Sequence, residues 1–291
     1  LVKVAGVNIM AESTSTPLAT QQGNLANALA PHPPISGAYA APEQKRQYVN
    51  TIFDETAQDY DRVERWLSLG SGRWYRRQAL QRAGLKSGMR VCDVAVGTGL
   101  VAGEVLQIIG PTGHVVGVDP SPQMMRRAKE RLGIETAAGR AEQLPFADRS
   151  FDFVSMGYAL RHVEDLNAAF REFYRVLKPD GQPEDQAVAR AAVQVGSEPA
   201  CGRVCILEIT RPTSRAGRAF LRAYLGTLSR IISTFVPLAP RTPELWAYYW
   251  ETIDKCLPPS RVMEALAATG FTEVKRHVLG GVFSEYTATR R

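Results

Sequence analysis

The chain has 291 residues, of which 45% are hydrophobic and 22% charged, enough apolar material for one large buried core. No apolar run approaches the roughly 20 residues that cross a bilayer, and the N-terminus lacks the charged-then-apolar pattern of a secretory leader, so a cytoplasmic protein is expected. The net charge of +6 would suit a polyanion, but the arginines are scattered over what read as solvated helix faces, which disfavours nucleic acid as a partner.

Residues 1–42 are rich in Ala, Ser, Thr, Pro, Gln and Asn, and Pro31, Pro33 and Pro34 break any helix. They read as a flexible tail ahead of a single domain at 43–291. From Pro42 to about Ala83, Tyr48, Ile52, Phe53, Trp66, Leu67 and Trp74 recur at three- and four-residue spacing. This gives two helical pieces separated by Phe53–Asp61. Such a pair serves as core packing or as a cover over a ligand mouth, and Tyr60 is the residue of interest for the second role.

The stretch from Met89 to Leu100 reads as a buried strand, a turn with Gly97 and Gly99 one residue apart, and the start of a helix. Glycines allow a sharp turn and close approach to a ligand, or simply close packing of strand on helix. A second apolar strand, His114–Asp119, ends in an acid. In nucleotide-binding βαβ units an acid at that place accepts hydrogen bonds from ribose hydroxyls. Ser121 and Pro122 then open a helix as N-cap and first helical residue.

A weak third strand at Glu135–Ala138 and a fourth at Phe151–Met156 follow, and a helix from Asp165 to Leu177 stops at Lys178-Pro179-Asp180-Gly181. Residues 182–202 read as a surface insert before the strand Arg203–Ile209. The aromatic-rich section 211–259 reads as a helical lid, followed by a helix over 260–269 and two strands joined by Leu279-Gly280-Gly281. The sum is an α/β protein with a Rossmann-like doubly wound sheet of seven strands, mostly parallel with an antiparallel last strand. Cys92, Cys201, Cys205 and Cys256 show no zinc-like pairing, and no metal site is expected.

Asp93-Val94-Ala95-Val96-Gly97-Thr98-Gly99, Asp119, Ala141-Glu142-Gln143-Leu144-Pro145-Phe146, Phe151-Asp152 and Arg175-Val176-Leu177-Lys178-Pro179-Asp180-Gly181 stand in the order and spacing of class I S-adenosylmethionine-dependent methyltransferases. Within that superfamily, residues 45–291 most resemble the UbiE/Coq5 quinone-biosynthesis C-methyltransferases. The closer markers are Phe53 with Tyr60-Asp61, Leu160-Arg161-His162-Val163, Leu207-Glu208 with Pro212, and Gly280-Gly281-Val282. The resemblance implies S-adenosyl-L-methionine as cofactor. It implies contacts from Tyr60, Asp93, Ala95, Gly97, Thr98, Gly99, Asp119, Arg140, Ala141 and Gly157. Arg140 departs from the Asp or Asn common before the Ala-Glu pair, and a guanidinium cannot accept from an adenine amino group.

Carbon methylation of an aromatic ring needs an ionised ring hydroxyl, which a nearby cation favours. Arg161 is the candidate cation and His162, or a water it holds, the candidate proton acceptor. Alternatively Arg161 pairs with Glu164 or Asp165, and His162 is a packed turn residue. Tyr224, Tyr249 and Trp250 are the expected substrate contacts. The acceptor is an aromatic or quinone-like small molecule, with O- or N-methylation of a natural product as the alternative; peripheral membrane contact and a homodimer are left open. An NAD(P)-dependent oxidoreductase or a non-catalytic nucleotide-binding protein are the readings from other classes.

Overall fold

The computed structural model describes residues 2–4, 7–9, 28–179, 201–235 and 240–291. Strands β1 (Val2–Val4) and β2 (Val7–Ile9) form a separate antiparallel ribbon. Two helices follow, α1 (Pro42–Leu67) and α2 (Gly72–Arg82). Strand and helix then alternate through β3 (Arg90–Val94), α3 (Leu100–Ile109), β4 (His114–Asp119), α4 (Pro122–Leu132), β5 (Glu135–Ala138) and β6 (Phe153–Gly157). A 3-10 turn at Leu160–His162 leads to α5 (Leu166–Val176) and β7 (Gly202–Ile209). The C-terminal part holds α6 (Arg215–Phe235), α7 (Thr242–Lys255), α8 (Pro259–Ala268), β8 (Thr272–Leu279) and β9 (Phe283–Arg290).

The seven-stranded sheet has the order β5-β4-β3-β6-β7-β9-β8, and β9 alone runs against its neighbours β7 and β8. Successive residues of β3 point to opposite faces: Val91 packs with Leu80, Val105 and Ile109, whereas Cys92 and Val94 pack with Phe170, Phe173 and Leu266. Both faces are therefore dry, as a parallel sheet covered by helices requires. Chain order reverses at β3, and ligands of open α/β sheets bind outside the strand ends at such a point. Val94 is in register with Val118 on one side and Met156 on the other. That register sets Ala95, Asp119 and Gly157 side by side at one edge.

Two expectations change, and a third falls almost wholly outside the described residues. The segment Phe53–Asp61 does not separate two helices; α1 runs through it without a break, because a run with no Pro or Gly leaves nothing to stop it. The proposed tail is not tail from residue 28 onward. Leu29 N donates to Asp165 Oδ1 at 3.0 Å, and Leu166 N donates to Leu29 O at 3.0 Å. Leu257 N donates to Pro31 O at 2.7 Å, and Ile35 and Tyr39 are buried against Ile52, Leu245, Tyr248 and Tyr249. The prolines that exclude a helix here pre-set an extended strap instead. The insert at 182–202 lies outside the described residues except for its last two, and Gly202 already belongs to β7.

Replacing Ile35 by Ala is expected to lower unfolding free energy by about 2–4 kcal/mol in urea titration, the usual cost of emptying a core position. A change within about 0.5 kcal/mol, as for a surface residue, would return this segment to the tail.

Candidate functional site

A cleft opens at the carboxyl ends of β3, β4 and β6. Its floor is the β3–α3 loop. Gly97 there has φ +55°, and a Cβ added to it would meet no protein atom within 4 Å, so its bare face looks into open space. Gly99 has φ +84° and is needed for another reason: a Cβ would lie 2.6 Å from Leu132 Cδ1, where α4 presses on the loop. Ala95 also adopts positive φ, at 55°.

Asp119 joins two strand ends. Its Oδ2 accepts from Gly97 N at 2.8 Å and its Oδ1 from Ser121 N at 2.9 Å, while Ser121 Oγ caps α4 by accepting from Met124 N at 3.1 Å. Burial raises the Asp119 carboxyl to about 6 against the pull of those two N–H groups. Asp93, one strand over, accepts from Ser155 Oγ at 2.6 Å, and its Oδ2 has no hydrogen-bond partner. Burial pushes it up to about 7. Taking a carboxylate out of water disfavours its charged form, and a cation placed nearby would restore it.

Helix α1 closes the cleft from above. Asp54 accepts from Ser121 Oγ and from Gln123 N at the start of α4, and Asp61 accepts from Thr98 Oγ1 and, at 3.1 Å, from Arg131. Two acids of one helix thus grip the loops after β3 and β4. The inner side of α1 contributes Arg46, Val49, Asn50, Phe53 and Tyr60 to the lining. Arg46 makes a bidentate pair with Glu164 at 2.6 and 2.8 Å.

Of the expected cofactor contacts, Tyr60, Ala95, Gly97, Asp119, Arg140, Ala141 and Gly157 all line the cleft. Thr98 and Gly99 do not; the Thr98 hydroxyl is committed to Asp61 and Gly99 backs onto Leu132. Asp93 lies buried behind the loop. Arg140 extends along the rim with Nη1 3.6 Å from Glu164.

His162 lines the cleft, stacked on Tyr248 and edge-on to Phe53. Its Nδ1 is 3.1 Å from Tyr248 Oη, and its Nε2 is buried without a partner. Burial, with Arg161 and Lys45 adding to it, holds the ring neutral, well below its usual pKa. Arg161 pairs with neither Glu164 nor Asp165. It is buried against Glu208 of β7, with its guanidinium carbon 5.3 Å from the centre of the Tyr249 ring. It stands behind the cleft wall, facing Tyr60, Tyr248 and Tyr249. Tyr249 packs on Phe53 and His162 as a second layer. Tyr224 and Trp250 are away from the cleft, in the cluster where α1 meets α6 and α7. The lid helices turn these two aromatics to their own packing seam rather than inward.

Phe53, Tyr158, Met124 and Met156 also line the cleft, and no motif marks them as ligand contacts. Tyr158 has φ +59°, a conformation that a non-glycine residue does not advertise in sequence.

A family model, the ubiE/COQ5 methyltransferase family, matches residues 41–185. A demethylmenaquinone methyltransferase of Symbiobacterium thermophilum is 30% identical over 261 residues, 86% of this chain and 96% of that one. A 2-phytyl-1,4-naphtoquinone methyltransferase of Nostoc sp. is 32% identical, covering 79% and 92% of the two chains. A ubiquinone/menaquinone biosynthesis C-methyltransferase UbiE of Pseudomonas putida is 31% identical over 80% and 85%. Among solved structures, a SAM-dependent methyltransferase of Thermotoga maritima, described as a possible histamine N-methyltransferase, superposes with a TM-score of 0.53 at 22% identity, covering 83% of this chain and 99% of that one. At that identity the likeness speaks for the fold alone.

Proposed function

Because this chain belongs to the ubiE/COQ5 methyltransferase family and is an S-adenosylmethionine-dependent methyltransferase, we propose that it methylates a ring carbon of a reduced, lipophilic quinone. The observation that carries this reading is the division of one cleft into a polar end, at Gly97 and Asp119, and an aromatic end, at Phe53, Tyr60, Tyr158 and His162. The quinone itself comes from the relatives, whose names describe methylation of demethylmenaquinone and of a phytyl naphthoquinone.

The residues at the polar end fit the cofactor. The open face of Gly97 leaves space for a ligand against the backbone, and Asp119 offers carboxylate oxygens where a ribose diol needs acceptors. Asp93, buried behind the β3–α3 loop and outside the cleft lining, does not touch the ligand; its charge acts on the amino-acid ammonium through the loop. Ala141 and Met124 give the adenine an apolar bed, and the backbone beside Arg140 replaces the carboxyl or amide side chain of other family members. When bound, S-adenosylmethionine supplies a methyl group on a sulfonium, open to in-line displacement.

At the aromatic end the chain's own work is to orient and to exclude water. Phe53 and Tyr158 bracket a planar ring, and α1 shuts out solvent. His162, neutral and with Nε2 unpartnered, is set in its Nδ1–H tautomer to take up the proton that the ring loses when the carbon–methyl bond forms. Arg161 acts from the layer behind; its charge favours negative charge on the acceptor oxygen, while Glu208 keeps the buried guanidinium compensated. Among the described residues no helix is long and apolar enough to cross a membrane.

Incubation with S-adenosylmethionine and a chemically reduced prenyl naphthoquinone is expected to give a product one methylene unit heavier, with the new methyl on ring carbon by NMR. Methylation of oxygen, or no product, contradicts the reading. Arg161→Ala alone would strand Glu208 and cost about 3–5 kcal/mol of stability. The paired change Arg161→Met with Glu208→Met removes both charges, so it is expected to fold yet turn over at least about a hundredfold more slowly, a loss of about 2.7 kcal/mol in barrier terms; unchanged turnover would remove Arg161 from the chemistry.

Burial raises Asp93 to about 7 and Asp119 to about 6, so both acids bind protons as pH falls through that range. A ligand carrying two cationic centres prefers them ionised. Its dissociation constant is therefore expected to rise about tenfold as pH falls from 8 to 5.5, measured by calorimetry; a flat profile would show that the ionisation of neither carboxylate is coupled to binding.

A further inference from the structure

Lys45 is a cation in an unusual position. It sits on the first turns of α1 and is 5% exposed, yet among the described residues its ammonium forms no ion pair. Its two hydrogen bonds go instead to backbone carbonyls of the turn after β6: Nζ donates to Val163 O at 2.6 Å and to Arg161 O at 3.2 Å. A second group reaches the same place from the strap. His32, also buried, has Nε2 2.8 Å from Arg161 O and Nδ1 2.8 Å from Pro33 O. In its Nε2–H tautomer it is a further donor to the Arg161 carbonyl.

Burying an ammonium against neutral carbonyls is a poor way to gain stability. The acids nearest in charge, Glu142 and Glu164, are engaged elsewhere: Glu142 accepts from Glu164 N at 2.7 Å, and Glu164 is held by Arg46. The consequence of the Lys45 contacts is geometric. Residues 160–162 form a single 3-10 turn, tied to β7 where Arg161 N donates to Glu208 Oε2 at 3.3 Å, and this turn carries both the His162 ring in the cleft wall and the Arg161 side chain behind it. Fastening the carbonyls on either side of His162 fixes the plane from which its ring projects.

We propose that Lys45, aided by His32, is a positioning residue for methyl transfer, holding the Arg161–Val163 turn by its carbonyls so that His162 presents Nε2 to the acceptor. Neither residue lines the cleft. This rests on the acceptor role given to His162 above. It also makes the strap and the start of α1 part of the acceptor site rather than a peripheral cover.

The test is Lys45→Met beside Lys45→Arg. With the reduced prenyl naphthoquinone as probe, Lys45→Met is expected to lower kcat at least about tenfold with affinity for S-adenosylhomocysteine held within about twofold, and Lys45→Arg to recover most of the loss. The full chain has four histidines, so the ring nitrogens of His162 can be assigned by ¹⁵N NMR against a His162→Asn control. They are expected to shift in Lys45→Met and not in Lys45→Arg. If kcat is unchanged, or falls while the His162 resonances stay in place, the proposal fails. Should Lys45→Met not fold, His32→Leu carries the same two readouts. The NMR and binding measurements need no acceptor. If the wild-type chain does not methylate the probe, the quinone reading falls, and the His162 resonances alone decide the role of Lys45.

Discussion

The carboxylate of Asp119 is the joint on which the site depends. One oxygen holds the amide of Gly97 and the other the amide of Ser121, so a single side chain fastens the loop after β3 to the start of α4. The register that places Ala95, Asp119 and Gly157 abreast would be wasted if that loop wandered. Holding it requires a buried acid, and burial carries a cost that appears as the raised pKa of Asp119 and, next to it, of Asp93. In an isolated protein two carboxyls resisting ionisation in one place are a liability. For a ligand with cationic centres they are an attraction, because positive charge nearby favours the ionised carboxylate.

The same economy governs the cover. Helix α1 is long and its apolar seam is modest, but Asp54 and Asp61 each take up donors left at the edge of the Rossmann-like half: the hydroxyl of Ser121 with the amide of Gln123, and the hydroxyl of Thr98. An acid at a helix start also meets the positive end of that helix. The cover is therefore fixed to the loops that form the polar end of the cleft, while its Phe53 and Tyr60 face the aromatic end. Behind this end the strap adds Ile35 and Tyr39 to the packing under Tyr248 and Tyr249. Polar end, aromatic end and cover are one mechanical unit, which suits a displacement that tolerates little misalignment.

The polar end was legible in the sequence because its requirements are local. Two glycines one residue apart after an apolar run, then an acid closing the next strand, are demanded by backbone geometry and by hydrogen-bonding chemistry within a span of about thirty residues. The acceptor end was less so, since its relations are long-range. Nothing near Arg161 announces that its partner is Glu208, the acid at the far end of β7, and the two nearer acids were the natural guess. The strap escaped for a related reason: an extended, proline-held segment has no periodicity, and its contacts with Asp165 and Leu257 link distant parts of the chain. Tyr224, Tyr249 and Trp250 looked equivalent because aromatic residues on amphipathic helices can face any neighbour. Only packing separates Tyr249, which backs the cleft, from the two that face the α1 seam.

The central claim is that the mouths of β3 and β4 receive the methyl donor against the bare face of Gly97. Gly97→Ala tests it most directly, because the added methyl meets no protein atom and the left-handed backbone costs only about 1–2 kcal/mol. Calorimetry with S-adenosylhomocysteine should show affinity reduced by more than about tenfold, beyond 1.4 kcal/mol, in a protein that still unfolds cooperatively. Wild-type affinity in that variant would mean the ligand lies elsewhere.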